Sequence, residues 1–320
     1  MRAVLTGGTG FVGANLARRL LRDGHEVHLL ARPGHASWRI EDIRADIHLH
    51  EIRLTDFDAL CALIGRIRPE WIFHLAAHGA YSHQTDARQI AETNVLCTVN
   101  LLEACRSVGF GAFIHAGSSS EYGFKDHAPA ETETLEPNSA YAAMKAAATL
   151  YCQHWATSQG LAISTLRLYS IYGPWEEPGR LMPTLIARGL RGEWPPLVNP
   201  DIARDFVFTE DACDAFVGLA EAHGRRRLPG AIYNLGSGAQ TTLRELVDVA
   251  RRVLRNPAPP LWGTMPSRVW DTTCWVADSR RIQEALGWRP RHDLETGFRA
   301  MARWFEDHPE LRPKYEGASR

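Results

Sequence analysis

The chain has 320 residues, 45% hydrophobic and 23% charged, an ordinary globular mixture with apolar mass for one large domain or two small ones. A formal net charge of −1 excludes a nucleic-acid binder that works through bulk positive charge, and excludes an acidic solvating tail. No apolar run approaches the roughly 18 residues that span a bilayer, and the opening MRAVLTGG reads directly as structure without a basic-then-apolar leader, so a cytoplasmic protein is expected.

In chain order, RAVLT reads as a first strand, followed by the turn GGTGFVG. FVGANLARRLLRDG then carries Phe11, Leu16 and Leu20 at helical spacing and stops at Gly24. HEVHLLAR is the next strand and EWIFHLAA a buried one; NVLCTVNLLEACRSVG is a helix closed by Gly109. GAFIHAGSS, SAYAAMKAAATLYCQHWATSQG and AISTLRLY continue as strand, long helix and strand. This alternation predicts an α/β fold with a doubly wound, Rossmann-type parallel sheet and right-handed crossovers. Residues 174–203 hold six prolines and two tryptophans with little periodicity, which predicts a loop-rich cap over a substrate. ARDFVFTEDACDAFVGLAEA reads as a strand feeding a helix and AIYNLGSG as another strand; Thr242 to Glu245 is a capping-box pattern. The expected organisation is a dinucleotide domain over 1–173 with returning elements at about 204–240, and a smaller α/β lobe from 174–203 and 241–320.

The turn after the first strand spaces Gly7, Gly10 and Gly13 three apart. Glycine serves a tight turn, a close backbone approach to a pyrophosphate, and close packing of helix on strand. The helix N-terminus beyond offers free N–H groups to phosphate. Thr6, Phe11 and Val12 of the turn, and Leu75, Ala76 and Ala77 after the HLAA strand, are the expected cofactor contacts. The second strand ends in Ala31 and Arg32, with Ser37 and Arg39 nearby, and has no carboxylate for a ribose 2′-OH. A guanidinium suits a 2′-phosphate, so NADP(H) is favoured and NAD(H) is the alternative.

Of the 36 basic residues 33 are Arg, and the three lysines are Lys125, Lys145 and Lys314. Codon bias accounts for most of that shortage, but Lys145 stands four residues after Tyr141, on the same helical face. An ammonium there lowers the phenol's pKa and can hold a cofactor ribose, so Tyr141 can exchange a proton near neutral pH. Ser118, Ser119 and Ser120 stand at a strand end, where open α/β sheets gather catalytic groups. The six cysteines form no CxxC and the 14 histidines no HExxH, so neither a disulfide framework nor a metal is expected.

Taken together, TGGTGFVG, HLAA, NVLCTVNLLEA, SSSEYG, YAAMK, RLYSIYGP, ARDFVFTED, YNLGSG and LGWRP resemble, in order, the motifs of the extended short-chain dehydrogenase/reductase superfamily, in its nucleotide-sugar epimerase, dehydratase and reductase branch. The G-x-x-G-x-x-G spacing is the short-chain variant of the nucleotide turn. The resemblance implies Tyr141 as general acid/base, Lys145 as its ribose-binding partner, and Ser118, four residues before Tyr122-Gly123, as the hydrogen-bonder to sugar O4. Ser119 and Ser120 stand where the dehydratases carry an Asp-Glu or Ser-Glu pair, and Glu121, shifted by one, would point elsewhere in an extended segment, so dehydration is not expected. The string G-S-S-x-E-Y-G is most similar to 4-keto-6-deoxy-sugar reductases. An NADPH-dependent 4-ketoreductase of a nucleoside-diphosphate sugar is therefore expected, ahead of a 4-epimerase that retains NAD and, distantly, a non-catalytic NADP sensor.

The resemblance also implies Arg204 and Arg268, with Arg180 behind them, as the diphosphate clamp. Ser170 stands where the family has Asn. His78, Tyr81, Ser82 and His83 follow the HLAA strand on the sugar side. Asn94 is expected to be structural, and Asp211 and Asp214 to lie on a solvated helix face. A homodimer packed through the YxxxK helix is expected, with Ala142, Ala146 and Ala147 allowing close approach. No nucleic-acid or membrane partner is expected.

Overall fold

In the computed structural model, which describes residues 1–225, 228, 230–266 and 271–317, strands and helices alternate as the apolar patterning requires. The first half runs β1 (Arg2–Thr6), α1 (Phe11–Arg22), β2 (Glu26–Ala31), β3 (His48–Glu51), α2 (Phe57–Ile67), β4 (Trp71–His74), α3 (Ala87–Ala91), α4 (Cys97–Val108), β5 (Ala112–Ser118), α5 (Ala140–Gln159) and β6 (Ile163–Leu168). The second half adds β7 (Ser170–Tyr172), α6 (Leu181–Gly189), β8 (Ala203–Arg204), β9 (Phe206–Phe208), α7 (Thr209–Arg225), β10 (Ala231–Leu235), β11 (Thr241–Thr242), α8 (Leu243–Leu254), α9 (Arg280–Leu286), α10 (Leu294–Asp307) and α11 (Arg312–Glu316).

A seven-stranded parallel sheet has the order β10-β6-β5-β4-β1-β2-β3. Its strands are covered on both faces, so they read as continuous apolar runs; β5 is buried over its whole length. Strand order reverses between β1 and β4, and the ends of two such strands are the place where doubly wound sheets bind ligands. Gly24 and Gly109, each with positive φ, close α1 and α4 as expected.

A second core gathers Tyr172, Leu185, Phe208, Leu246, Phe298 and Phe305. Its α8 begins with the expected capping box: the Thr242 hydroxyl accepts from Glu245 N (3.2 Å) while the Glu245 carboxylate accepts from Thr242 N (2.7 Å). The Pro-rich stretch is less loop-like than expected. It contains α6, whose Met182, Leu185 and Ile186 are buried. Pro183 is tolerated because it falls in the first helical turn, where its missing N–H has no intrahelical partner.

Two further expectations are corrected. Asp211 is fully buried, not solvated: its carboxylate accepts from His292 N and lies 3.1 Å from the His292 ring, tying the start of α7 to the segment before α10. Asp214 pairs with Arg19 and, at 2.6 Å, with Arg291. Ala142 and Ala146 face the interior of their own chain, and of the three alanines singled out on α5 only Ala147 is exposed. Among the described residues, no helix is long and apolar enough to cross a membrane.

Candidate active site

The glycine turn sits at the switch point. Gly7 has φ +71°, and a Cβ there would lie 2.5 Å from the Leu75 carbonyl carbon. A Cβ on Gly13 would lie 2.3 Å from the Gly7 carbonyl oxygen. Both contacts are backbone, so no side-chain movement relieves them. Gly10 caps α1 without a side-chain hydrogen bond, and α1 has no acid in its first turn, so the N–H groups of Phe11, Val12 and Gly13 stay open to an anion. Thr6 closes the floor: its hydroxyl lies 2.7 Å from His74 Nδ1 and accepts from Ala76 N (3.2 Å). Leu75 N bonds the Thr6 carbonyl, and Ala77 is exposed at the rim. This cradle fits a dinucleotide pyrophosphate.

At the end of β2, Ala31 is buried and Arg32 exposed. Arg39 does not join it. Its guanidinium is buried and committed to the Trp175 carbonyl (2.7 Å) and Glu177 (2.6 Å).

The serine cluster does not continue the strand. Ser118 ends β5, and residues Ser119–Tyr122 turn into one 3₁₀ turn that Ser118 caps. The Ser118 hydroxyl accepts from Ser120 N (3.2 Å), and Ser118 N donates to Glu121 Oε1 (2.8 Å). The expected extended segment is thus corrected. Glu121 turns inward, takes the Thr149 hydroxyl (3.0 Å) and pairs with Arg167 (2.8 Å). Arg167 also donates to the Tyr122 hydroxyl (2.7 Å), which donates to Asn234 (2.7 Å). This buried network was missed from sequence, though a lone arginine inside the apolar strand TLRLY must find a partner.

Helix α5 is capped by Ser139 and carries Tyr141 and Lys145 toward β5. Ser118 bears on the Tyr141 phenol, and Gly79 of the loop after β4 packs on Tyr141, so close that a Cβ there would be 3.3 Å from the Tyr141 Cβ. The Lys145 ammonium is buried and donates to the Ala116 carbonyl. Burial pushes Lys145 down to about 8, partly opposed by Glu121. Burial raises the Tyr141 phenol above its ordinary value, against the Ser118 hydrogen bond and the charge of Arg180. The expectation of a lysine-lowered phenol is corrected on that point: loss of water around the phenolate dominates. His74 and His115, buried beside Lys145, are held neutral, His74 pushed down to about 3 chiefly by burial.

The remaining candidates form two groups. His78 is fixed by Asn94, whose amide donates to the His78 carbonyl (2.8 Å) and accepts from His78 N (2.9 Å). Gln84, unrecognised in the sequence, accepts from Gly79 N (2.8 Å) and Tyr81 N (3.3 Å). Arg180, at the start of α6, lies 5.1 Å over the Tyr81 ring and acts on Tyr141, so it faces the same cleft. Arg204 is engaged elsewhere in the chain, with Asp271 (3.1 Å) and the Ala203 carbonyl (2.7 Å). Ser170 opens β7 and bonds the Asp205 carbonyl through its N–H. Arg268 lies outside the described residues.

Residues 3–236 match the NAD dependent epimerase/dehydratase family. The chain belongs to that family. It is 30% identical to a UDP-glucose 4-epimerase of Mycolicibacterium smegmatis over 96% of this chain and 99% of that protein. It is also 30% identical to a dTDP-glucose 4,6-dehydratase of Streptomyces griseus, over 95% and 94% of the two chains. Among solved structures, MoeE5 in complex with UDP-glucose and NAD is 27% identical with a TM-score of 0.82, over 97% of this chain and all of that one. The family is one of the extended short-chain dehydrogenase/reductase superfamily, and its relatives here act on nucleotide sugars.

Proposed function

We propose that the chain is an NAD(P)-dependent enzyme that moves a proton on and off O4 of a nucleoside-diphosphate sugar, working as a 4-epimerase. The observation that carries this is the convergence of Ser118, Tyr141 and Lys145 beside the Gly7–Gly13 cradle. NAD(H) bound there would exchange a hydride with sugar C4. The chain's own residues do the rest. Ser118 hydrogen-bonds O4 and passes the proton to or from Tyr141. A half-buried phenol that favours its protonated form is ready to donate to the O4 of a ketone, which then becomes the alcohol. Lys145 meets the ribose from the same helical face. The second core is the sugar lobe, with Arg180 and Tyr81 at its mouth.

The epimerase reading draws on the full-length likeness to a UDP-glucose 4-epimerase and on the NAD held by a neighbour. Dehydration is disfavoured because Glu121, the nearest acid to Ser118, is consumed by Arg167 and Thr149. One observation favours a second reading, an NADPH-dependent 4-ketoreductase: Arg32 is exposed at the end of β2, a strand that itself ends without a carboxylate. Denaturing the purified chain and measuring released nucleotide separates the two. Stoichiometric NAD with interconversion of UDP-glucose and UDP-galactose supports the epimerase. Little bound nucleotide, with NADPH consumed by a 4-keto-6-deoxy sugar nucleotide, overturns it in favour of the reductase.

A further inference from the structure

The far edge of the sheet carries a cluster that the sugar chemistry does not use. In the β2–β3 ladder, His28 pairs directly with His48, and His50 follows two residues on, so all three imidazoles project from one face together with Glu26. His28 Nε2 lies 2.9 Å from Glu26 Oε1, and His48 Nε2 lies 3.7 Å from the same oxygen. One ligand atom from each of Glu26, His28 and His48 falls within 4.8 Å of the others. Edges of a tetrahedral zinc site span about 3.3 Å, given metal–ligand bonds of about 2.0–2.1 Å. The atoms are therefore already near coordinating positions.

We infer that Glu26, His28 and His48 form a divalent transition-metal site that clips the edge strand β3 to β2. Two imidazoles and a carboxylate suit Zn²⁺ and its neighbours rather than Mg²⁺ or Ca²⁺. The fourth position is left to solvent. The ion takes the place of the proton that His28 Nε2 donates to Glu26: the ring shifts to its Nδ1–H tautomer, with no net proton released, and binds through the Nε2 lone pair. His50 supports the exchange. Its Nε2 lies 3.0 Å from His28 Nδ1, so it can accept the hydrogen bond of that Nδ1–H and hold the ring in place, as outer partners of metal-bound histidines do. The His48 ring, stacked on His28 with centroids 4.7 Å apart, must turn to aim its lone pair, and its 58%-exposed side chain is free to do so.

The surrounding charges permit a cation. Arg2 on β1 bears on His28 but is paired with Glu70 (3.8 Å), and Arg66 on α2 bears on His50. Helical and loop spacings such as HExxH do not reveal such a site, because its ligands are neighbours only through the register of two strands.

The test uses the tag-free chain at pH 7.5, titrated with Zn²⁺ by calorimetry and with Co²⁺ by visible absorption. The parent is expected to bind one ion more per chain than His48→Ala or Glu26→Gln, and to show four-coordinate Co²⁺ bands and a Zn²⁺-dependent rise in melting temperature that both variants lose. Both substitutions are at exposed positions, and their folding is checked by an unchanged melting curve without metal. Equal stoichiometry in parent and variants, or no saturable binding by the parent, overturns the site.

Discussion

Glu121 and Arg167 form an ion pair at 2.8 Å with 0% and 2% of their side chains exposed, and the other Glu121 oxygen takes the backbone N–H of Ser118. A charge pair that supports secondary structure elsewhere here sets the position of a candidate catalytic hydroxyl.

Arg167→Leu strands the Glu121 charge in the interior. Breaking a buried pair from one side costs about 3–5 kcal/mol. Denaturant unfolding of the variant is expected to lose stability in that range, with turnover falling as Ser118 loses its anchor. A loss below about 1 kcal/mol would contradict this.

Tyr141→Phe keeps the ring and removes the proton carrier. Turnover is expected to fall by about 10²–10⁴-fold, while nucleotide released on denaturation stays at the parent's level. Activity within tenfold of the parent would remove Tyr141 from the mechanism.

Glu176 is buried between β7 and α6, its Oε2 without a hydrogen-bond partner among the described residues, and burial pushes its carboxyl up to about 8. From about pH 4.5 to about 8 the folded chain keeps a proton there that the unfolded chain gives up. This group's contribution to stability is thus complete below the unfolded value and is lost as pH rises through the window, by up to about 1.4 kcal/mol per pH unit. Glu176→Gln has no proton to lose. Its stability relative to the parent should therefore climb between pH 5 and 8, read from unfolding curves at each pH. Parallel curves would mean that Glu176 titrates normally.

Two glycine substitutions should act in opposite directions. Gly13→Ala drives a Cβ onto the Gly7 carbonyl oxygen at 2.3 Å, and overpacking of this kind costs about 1–3 kcal/mol. Nucleotide content should fall with it. Gly65→Ala, inside α2 with nothing within 4 Å, should raise stability by about 0.5–1 kcal/mol. Melting temperatures of the two variants decide the matter; shifts of the same sign would count against the geometry.

The parts legible in the sequence are those written in local pattern. Alternating apolar runs announced the parallel sheet, Gly7-Gly10-Gly13 the tight turn into α1, Tyr141 and Lys145 a shared helical face, and Thr242–Glu245 a helix start. What stayed hidden depends on contacts between distant segments. Asp211 looks solvated until residues 288–292 fold over it. Glu121 looks displaced by one residue until the strand proves to end in a 3₁₀ turn. Arg39 looks like a phosphate ligand until Trp175 and Glu177 claim it. The Tyr141 phenol depends on burial that no spacing reports.

The place of β10 bears on synthesis. It joins the main sheet beside β6 with residues 231–235, after the chain has left to lay down α6 and α7. Until those residues emerge from the ribosome, β6 presents an unpaired edge and its neighbours lack their last cover, a surface that invites association with other nascent chains. A fragment ending near residue 173 is expected to need a chaperone or to precipitate, because its main sheet closes only with a strand made some sixty residues later.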